Sequence, residues 1–219
     1  MCLIFIFIPV FLIWCYLTKS DYFKIQDSKY FDGQNIFKVN LMKEAKELSK
    51  LNPDYQRVVL RRELPNRIII DFTPRKAVAG IKLSKYFNLD KNGVLFYPED
   101  EKDDNSQLPL IIGLKSKISQ PRPGVKCRDN SLIKALEFVD NLNNDQELKN
   151  RIKIKEINLA NVNDIFLVTK TGCKINLGST KSLDKDLLIL KRVISEVNSD
   201  LTNIEYINLR FKEPVIKYK

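Results

Sequence analysis

Histidine is absent from the chain of 219 residues. That excludes Ser-His-Asp and Cys-His nucleophilic machinery and every histidine-based metal site. Glycine is scarce, at 7 residues, too few for collagen-like or glycine-loop architectures. Neither P-loop nor dinucleotide glycine spacing occurs. The four cysteines form no framework: Cys2 and Cys15 sit in an apolar N-terminal run, and Cys127 and Cys173 stand alone without C-x-x-C spacing. The latter two are compatible with a bridge outside the cytoplasm or with buried thiols. No nucleophile–base pair stands out. The expectation is a protein without catalysis, cofactor or metal. The acidic run Glu99, Asp100, Glu101, Asp103 and Asp104 lacks the spacing of a calcium loop and reads as a solvated loop.

What is present is apolar and basic. The chain is 44% hydrophobic and 29% charged, enough for a packed core and too apolar for wholesale disorder. Net charge is +10, from 37 Lys+Arg against 27 Asp+Glu. Such a surface suits an acidic partner, anionic lipid or nucleic acid. The lysines are spread along the chain rather than clustered with aromatics, which favours a solvated surface over a nucleic-acid groove.

Residues 1–17 carry no charged side chain. As a helix they reach about 25 Å, enough to cross a thin hydrocarbon core. Trp14 and Tyr16 suit an interfacial aromatic belt. A basic leading region and a small-residue cleavage site are both missing, and Ile13-Trp14 before Cys15 does not fit a lipoprotein signal. Residues 1–18 therefore read as a retained transmembrane anchor. Lys19, Lys24 and Lys29 follow it, which taken literally places the body in the cytoplasm.

The body reads as α+β. Tyr22–Ile25 and Asn35–Val39 are short extended pieces, and Asn40 caps a helix over 41–51 with Leu41, Ala45, Leu48 and Leu51 on one face. Two strands, 55–64 and 67–72, flank the Pro65-Asn66 turn as an antiparallel hairpin. Short strands follow over 78–83, 86–90 and 94–97, and then comes the charged loop 98–107. A helix over 131–142, strands near 152–159, 165–169 and 174–177, and a helix over 183–198 lead to a last strand, 204–211. The expected domains are 1–18, 19–79 and 80–219, the last a mainly antiparallel β domain with flanking helices.

Two surfaces invite partners. A strand near the chain terminus often lies at a sheet edge, where free backbone groups accept an added strand. A fully paired strand is the other reading. Arg57, Arg61, Arg62 and Arg67 cluster on the hairpin, as a docking surface for an acidic partner or phosphate, or as an exposed charged face.

The order of features resembles the FtsQ/DivIB family of bacterial cell-division proteins, with one anchor, a POTRA domain and a β domain. Residues 53–70, PDYQRVVLRRELPNRIII, are similar to the POTRA hairpin. Residues 75–79, RKAVA, are similar to the E-R-x-P-V-A junction, with Pro74 and Ala77 in place of Glu and Pro. LDKNGVLF at 89–96 and LPLIIG at 108–113 match further family strands, and YINLRFKEPV at 206–215 matches the closing I-D-L-R strand with Asn208 in place of Asp. The resemblance implies a small POTRA-like αββ domain, trimmed because 25–33 is too short for its first helix. It also implies a cytoplasmic tail ahead of the anchor and an extracytoplasmic body, which outweighs the lysines after the anchor.

By the same resemblance the protein is a non-enzymatic, single-pass scaffold of the divisome. It concentrates at the septum of the cytoplasmic membrane, recruits septal single-pass proteins of the FtsB/DivIC and FtsL class, and influences the septal peptidoglycan synthase pair. In the family the partner adds along the last strand region, here Ile204, Tyr206, Asn208, Arg210 and Phe211. No nucleic acid is expected. The alternative is a membrane-tethered basic protein that binds nucleic acid or another extracytoplasmic partner.

Overall fold

The computed structural model describes residues 2–98, 108–114, 118, 120–179, 182–197 and 201–219, with the side chains of residues 2–8 left out. The acidic run at 99–104 lies outside the described residues. The chain divides into two compact units, Met1–Arg75 and Lys76–Lys219, each with its own buried cluster.

The first unit opens with helix α1, Cys2–Lys19. Among the described residues no helix is long and apolar enough to cross a membrane, so a membrane role for α1 is a proposal rather than an observation. The expected strand at Tyr22–Ile25 is instead a 3-10 turn, Asp21–Phe23, followed by a single bridge from Lys24 to Asn35. The cause is local: the Ser20 side chain accepts the Tyr22 N–H and winds the chain before a ladder can form. Turns then lead to α2, Leu41–Leu51, where Asn40 accepts the Lys43 N–H as its cap. Strands β1 (Tyr55–Glu63) and β2 (Arg67–Pro74) pair antiparallel across the Pro65 turn. Val58 and Leu60 face Phe72 and Ile70 and close over Leu48, Ile25 and Ile36.

The second unit is built on a large sheet that, among the described residues, has nine strands: β3 (Ala79–Lys82), β4 (Tyr86–Leu89), β5 (Leu95–Phe96), β6 (Leu110–Ile112), β7 (Ile154–Asn158), β8 (Ile165–Thr169), β9 (Lys174–Gly178), β10 (Ile204–Asn208) and β11 (Val215–Tyr218). Their spatial order is β11-β10-β9-β8-β7-β6-β3-β4-β5. Five neighbouring pairs are antiparallel, and β10–β9, β6–β7 and β3–β6 are parallel. Among the described residues three α-helices accompany the sheet: α3 (Asn130–Asn144), α4 (Gln146–Arg151) and α5 (Leu183–Glu196). Leu132, Leu136, Val139 and Leu142 of α3 and Leu183, Leu190 and Ile194 of α5 are buried in the same cluster as Ile157, Ile175 and Ile207 of the strands. Asp145 ends α3 and caps α4, accepting the N–H groups of Glu147 and Leu148. The Arg151 guanidinium donates to the carbonyls of Ile194 and Val197 at the end of α5. Cys127 and Cys173 are free and buried rather than bridged.

Candidate functional site

The two ends of the large sheet are finished differently. At one end the backbone of β5 is covered: Leu95 N–H donates to Val125 O at 2.9 Å and Gly124 N–H to Leu95 O at 2.8 Å. At the other end β11 is outermost, and among the described residues no backbone group pairs with its outer side. Lys219 N–H donates inward to Asn203 O at 3.0 Å. Antiparallel ladders alternate, and the register shift lies on β10, between Ile204 and Tyr206, so β11 keeps an unbroken alternation. Lys217 and Val215 turn inward with Lys219. Ile216 and Tyr218 present their N–H and C=O groups outward.

Beside this edge runs a groove of about 750 Å³ between α5 and β11. Ile189, Val193, Ile216 and Tyr218 supply its apolar surface, and Arg192, Lys212 and Glu196 line it with two positive charges and one negative. Strand backbone, an apolar trough and charged side chains, two of them cationic and one anionic, stand together. That arrangement can take an extended peptide by its backbone and an apolar side chain by its face.

The strand expected to carry this edge does not. β10 is paired on both sides, to β9 and to β11, because Val215–Tyr218 folds back as a further strand. Ile204 is fully buried and Asn208 nearly so, so neither side chain offers a partner surface. Tyr206 is half-buried and Phe211 is exposed. Arg210 is committed within the protein: its backbone N–H and Nε donate to Asn208 Oδ1 at 3.2 and 3.1 Å, and Nη1 lies 3.0 Å from Asp164 Oδ1. Its stem crosses Gly178, where a Cβ would stand 3.2 Å from Arg210 Cγ and φ is +88°. Glycine is needed there both for the left-handed turn and for the close approach. Arg210 thus clasps the ends of β9 and β10 to the segment before β8. Sequence reasoning missed β11, whose one signal is the β-branched and aromatic tetrad Val-Ile-Lys-Tyr after Pro214.

The arginine cluster on the hairpin also divides. Arg62 points inward, donating from Nε to Ile36 O at 2.9 Å and from Nη2 to Val39 O at 2.8 Å, which fixes the turns ahead of α2. Arg61 pairs with Asp71 at 2.8 Å and Arg67 with Glu63 at 3.4 Å. Arg57 is exposed on β1.

At the start of α5, Asp186 is a buried carboxylate, its Oδ2 within 2.8 Å of Ser182 Oγ. Burial pushes its pKa up to about 6, against a weaker downward pull from the Ser182 hydrogen bond. Burial likewise raises the Cys173 thiol to about 11, so it is protonated and unreactive at neutral pH.

Residues 77–210 match the family model described as cell division protein FtsQ/DivIB, C-terminal. The chain is 28% identical over 193 residues to cell division protein FtsQ of Geotalea daltonii, covering 86% of this chain and 66% of that protein. It is 30% identical over 210 residues to cell division protein DivIB of Clostridium tetani, covering 89% of this chain and 73% of that one. The family match spans more than half of the sequence and takes in the whole sheet from the start of β3 to the end of β10. On these grounds the chain belongs to the FtsQ/DivIB family of cell-division proteins.

Proposed function

We propose that this protein is a non-catalytic membrane scaffold of the divisome, and that the outer edge of β11 receives an extended segment from a septal partner. The observation that carries the reading is the contrast between the two sheet ends, with β5 covered by its own chain and β11 open beside a largely apolar groove. Partners of the FtsB/DivIC and FtsL class are the ones the family resemblance implies. On this reading α1 sits in the cytoplasmic membrane at the septum, the body is extracytoplasmic, the first unit is the POTRA-like domain, and capture of the partner helps control the septal peptidoglycan synthase pair. The alternative of nucleic-acid binding has only the net charge of +10 behind it.

The test is binding of synthetic peptides from the extracytoplasmic ends of the septal partners to the full chain in detergent. Ile216→Pro removes an outward N–H and leaves the inward ladder whole. It is expected to weaken capture roughly tenfold, about 1.4 kcal/mol, the scale of one lost hydrogen bond with some misfit. Capture that ignores Ile216→Pro in folded protein removes this edge as the interface.

A further inference from the structure

The C-terminal end of α1 is tied to a segment well along the chain. A helix leaves its last four carbonyls without intrahelical partners, and water normally serves them. Here Tyr16 O takes the ordinary closing bond from Ser20 N–H at 3.0 Å, and Leu17 O accepts from the side chain of Asn35 at 2.9 Å, across 18 residues of sequence. Thr18 Oγ1 donates to Trp14 O at 2.7 Å. Rings continue the attachment: Tyr16 meets Phe23 edge-on at 6.1 Å between centroids, and Phe23 meets Phe37 at 5.2 Å. The helix therefore does not leave the first unit through a loose linker. Its last turn is bolted to the 3-10 turn and to the turn at Asn35–Lys38.

The residues around this junction share one chemistry. Val10, Phe11, Leu12, Ile13, Trp14 and Tyr16 of the helix are each more than half exposed, as is Tyr22 on the 3-10 turn. Lys19 and Lys24 are exposed next to these residues in sequence, and Lys38 is exposed next to Phe37, which meets Phe23; Lys24 holds Asp21 at 2.7 Å. Apolar surface gives way within one turn to tyrosines and then to lysines. That sequence of layers matches the passage from hydrocarbon through interface to headgroup, with amphipathic rings at the boundary and cations at the phosphates. A terminal carbonyl satisfied from within the protein, that of Leu17, suits a place where water is scarce.

We propose that the surface made by Lys19, Tyr22, Lys24 and Lys38 is a rigid headgroup-binding platform that holds the first unit in one orientation against an anionic bilayer. The inference rests on the reading that α1 enters a membrane. Its occupant is the phosphate layer of the bilayer, and the clasp of Asn35 on Leu17 transmits the helix's direction to the unit.

Trp14 is the sole tryptophan, which separates the two readings. The full chain is placed in vesicles of equal parts phosphatidylcholine and phosphatidylglycerol, with lipids brominated near the glycerol end of the acyl chain. Quenching of Trp14 reports insertion of α1. A Trp14→Phe, Tyr22→Trp protein reports the platform. Both are expected to be quenched. The Tyr22→Trp signal should lose most of its quenching when Asn35→Ala frees the helix end, when Lys19→Ser and Lys38→Ser remove the charges, or when phosphatidylglycerol is left out. Circular dichroism checks that each variant folds. Quenched Trp14 with an unquenched Tyr22→Trp probe overturns the platform and leaves the anchor standing. So does Tyr22→Trp quenching that is indifferent to Asn35→Ala and to lipid charge. Unquenched Trp14 overturns the anchor and the platform together.

Discussion

Asp186 shows what a single buried group does to pH response. Ser182 Oγ lies 3.1 Å from Ser179 O as well as 2.8 Å from the Asp186 carboxyl, and it has one proton to give. When Asp186 is protonated the chain is complete: its O–H donates to Ser182 Oγ, and Ser182 donates to Ser179 O. When Asp186 is ionised the two acceptors compete. The folded pKa of about 6 lies above the ordinary value of 3.8, so the folded state binds this proton more tightly than the unfolded chain. Stability from this group is therefore fully present below about pH 4 and is lost as pH rises through about 6. Asp186→Asn keeps the shape and the donor. It should raise stability at pH 8 by roughly 1–3 kcal/mol and leave it nearly unchanged at pH 4. Urea unfolding at the two pH values measures this, and an equal effect at both would remove burial as the cause. Arg210 was legible as a candidate and misread in role. A sequence cannot say that Asp164, 46 residues away, holds its guanidinium. Arg210→Glu should cost about 1–2 kcal/mol, from a partly exposed ion pair and a bond to buried Asn208. A melting temperature unchanged by Arg210→Glu would show that the clasp contributes nothing.

At the scale of elements, long periodic segments were plain in the sequence and short ones were not. The apolar spacing of Leu183, Leu190 and Ile194 announces α5, and Asn40 before 41–51 announces α2, because a helix face and its cap are local facts. The hairpin β1–β2 follows from two β-branched runs about a turn proline. By contrast, α4 spans only Gln146–Arg151 and depends on Asp145 as cap and on Arg151 reaching α5, a tertiary contact. β11 has four residues and is made a strand by the edge of β10 that it covers, hidden behind the polar Lys212-Glu213. The outermost strand is β11 rather than the expected 204–211, one strand further along the chain. The alternation along β11 yields a sharp contrast. Ile216→Pro should leave the melting temperature within about two degrees, since only an outward donor is lost. Lys217→Pro removes an inward ladder donor and should detach the strand, exposing the Tyr206 and Asn208 amides of β10 to rapid hydrogen exchange. Equal protection of the Tyr206 and Asn208 amides, which face β11, in the two variants would overturn the assignment of inward and outward groups.

For the whole molecule, the decisive feature is that two buried clusters share no residue. Leu48, Val58 and Leu60 belong to the first, and Leu136, Ile157 and Ile207 to the second. Each unit thus has its own source of hydrophobic stabilisation, and the junction at Arg75–Lys76 is not inside either cluster. A chain built this way has no need to unfold as one body. Leu48→Ala opens a cavity in the smaller cluster and should cost about 2–5 kcal/mol there. Because that cluster is small, the first unit should melt early, while the larger unit keeps its original transition. Hydrogen exchange of Ile157 and Ile175 and partner capture at β11 should then both stay as in the parent protein, while the near-ultraviolet circular dichroism, to which the sole tryptophan, Trp14, belongs, follows the first unit. If Leu48→Ala lowers the protection of Ile157 as much as that of Leu60, the two clusters unfold together and the binding edge is not energetically separate from the first unit.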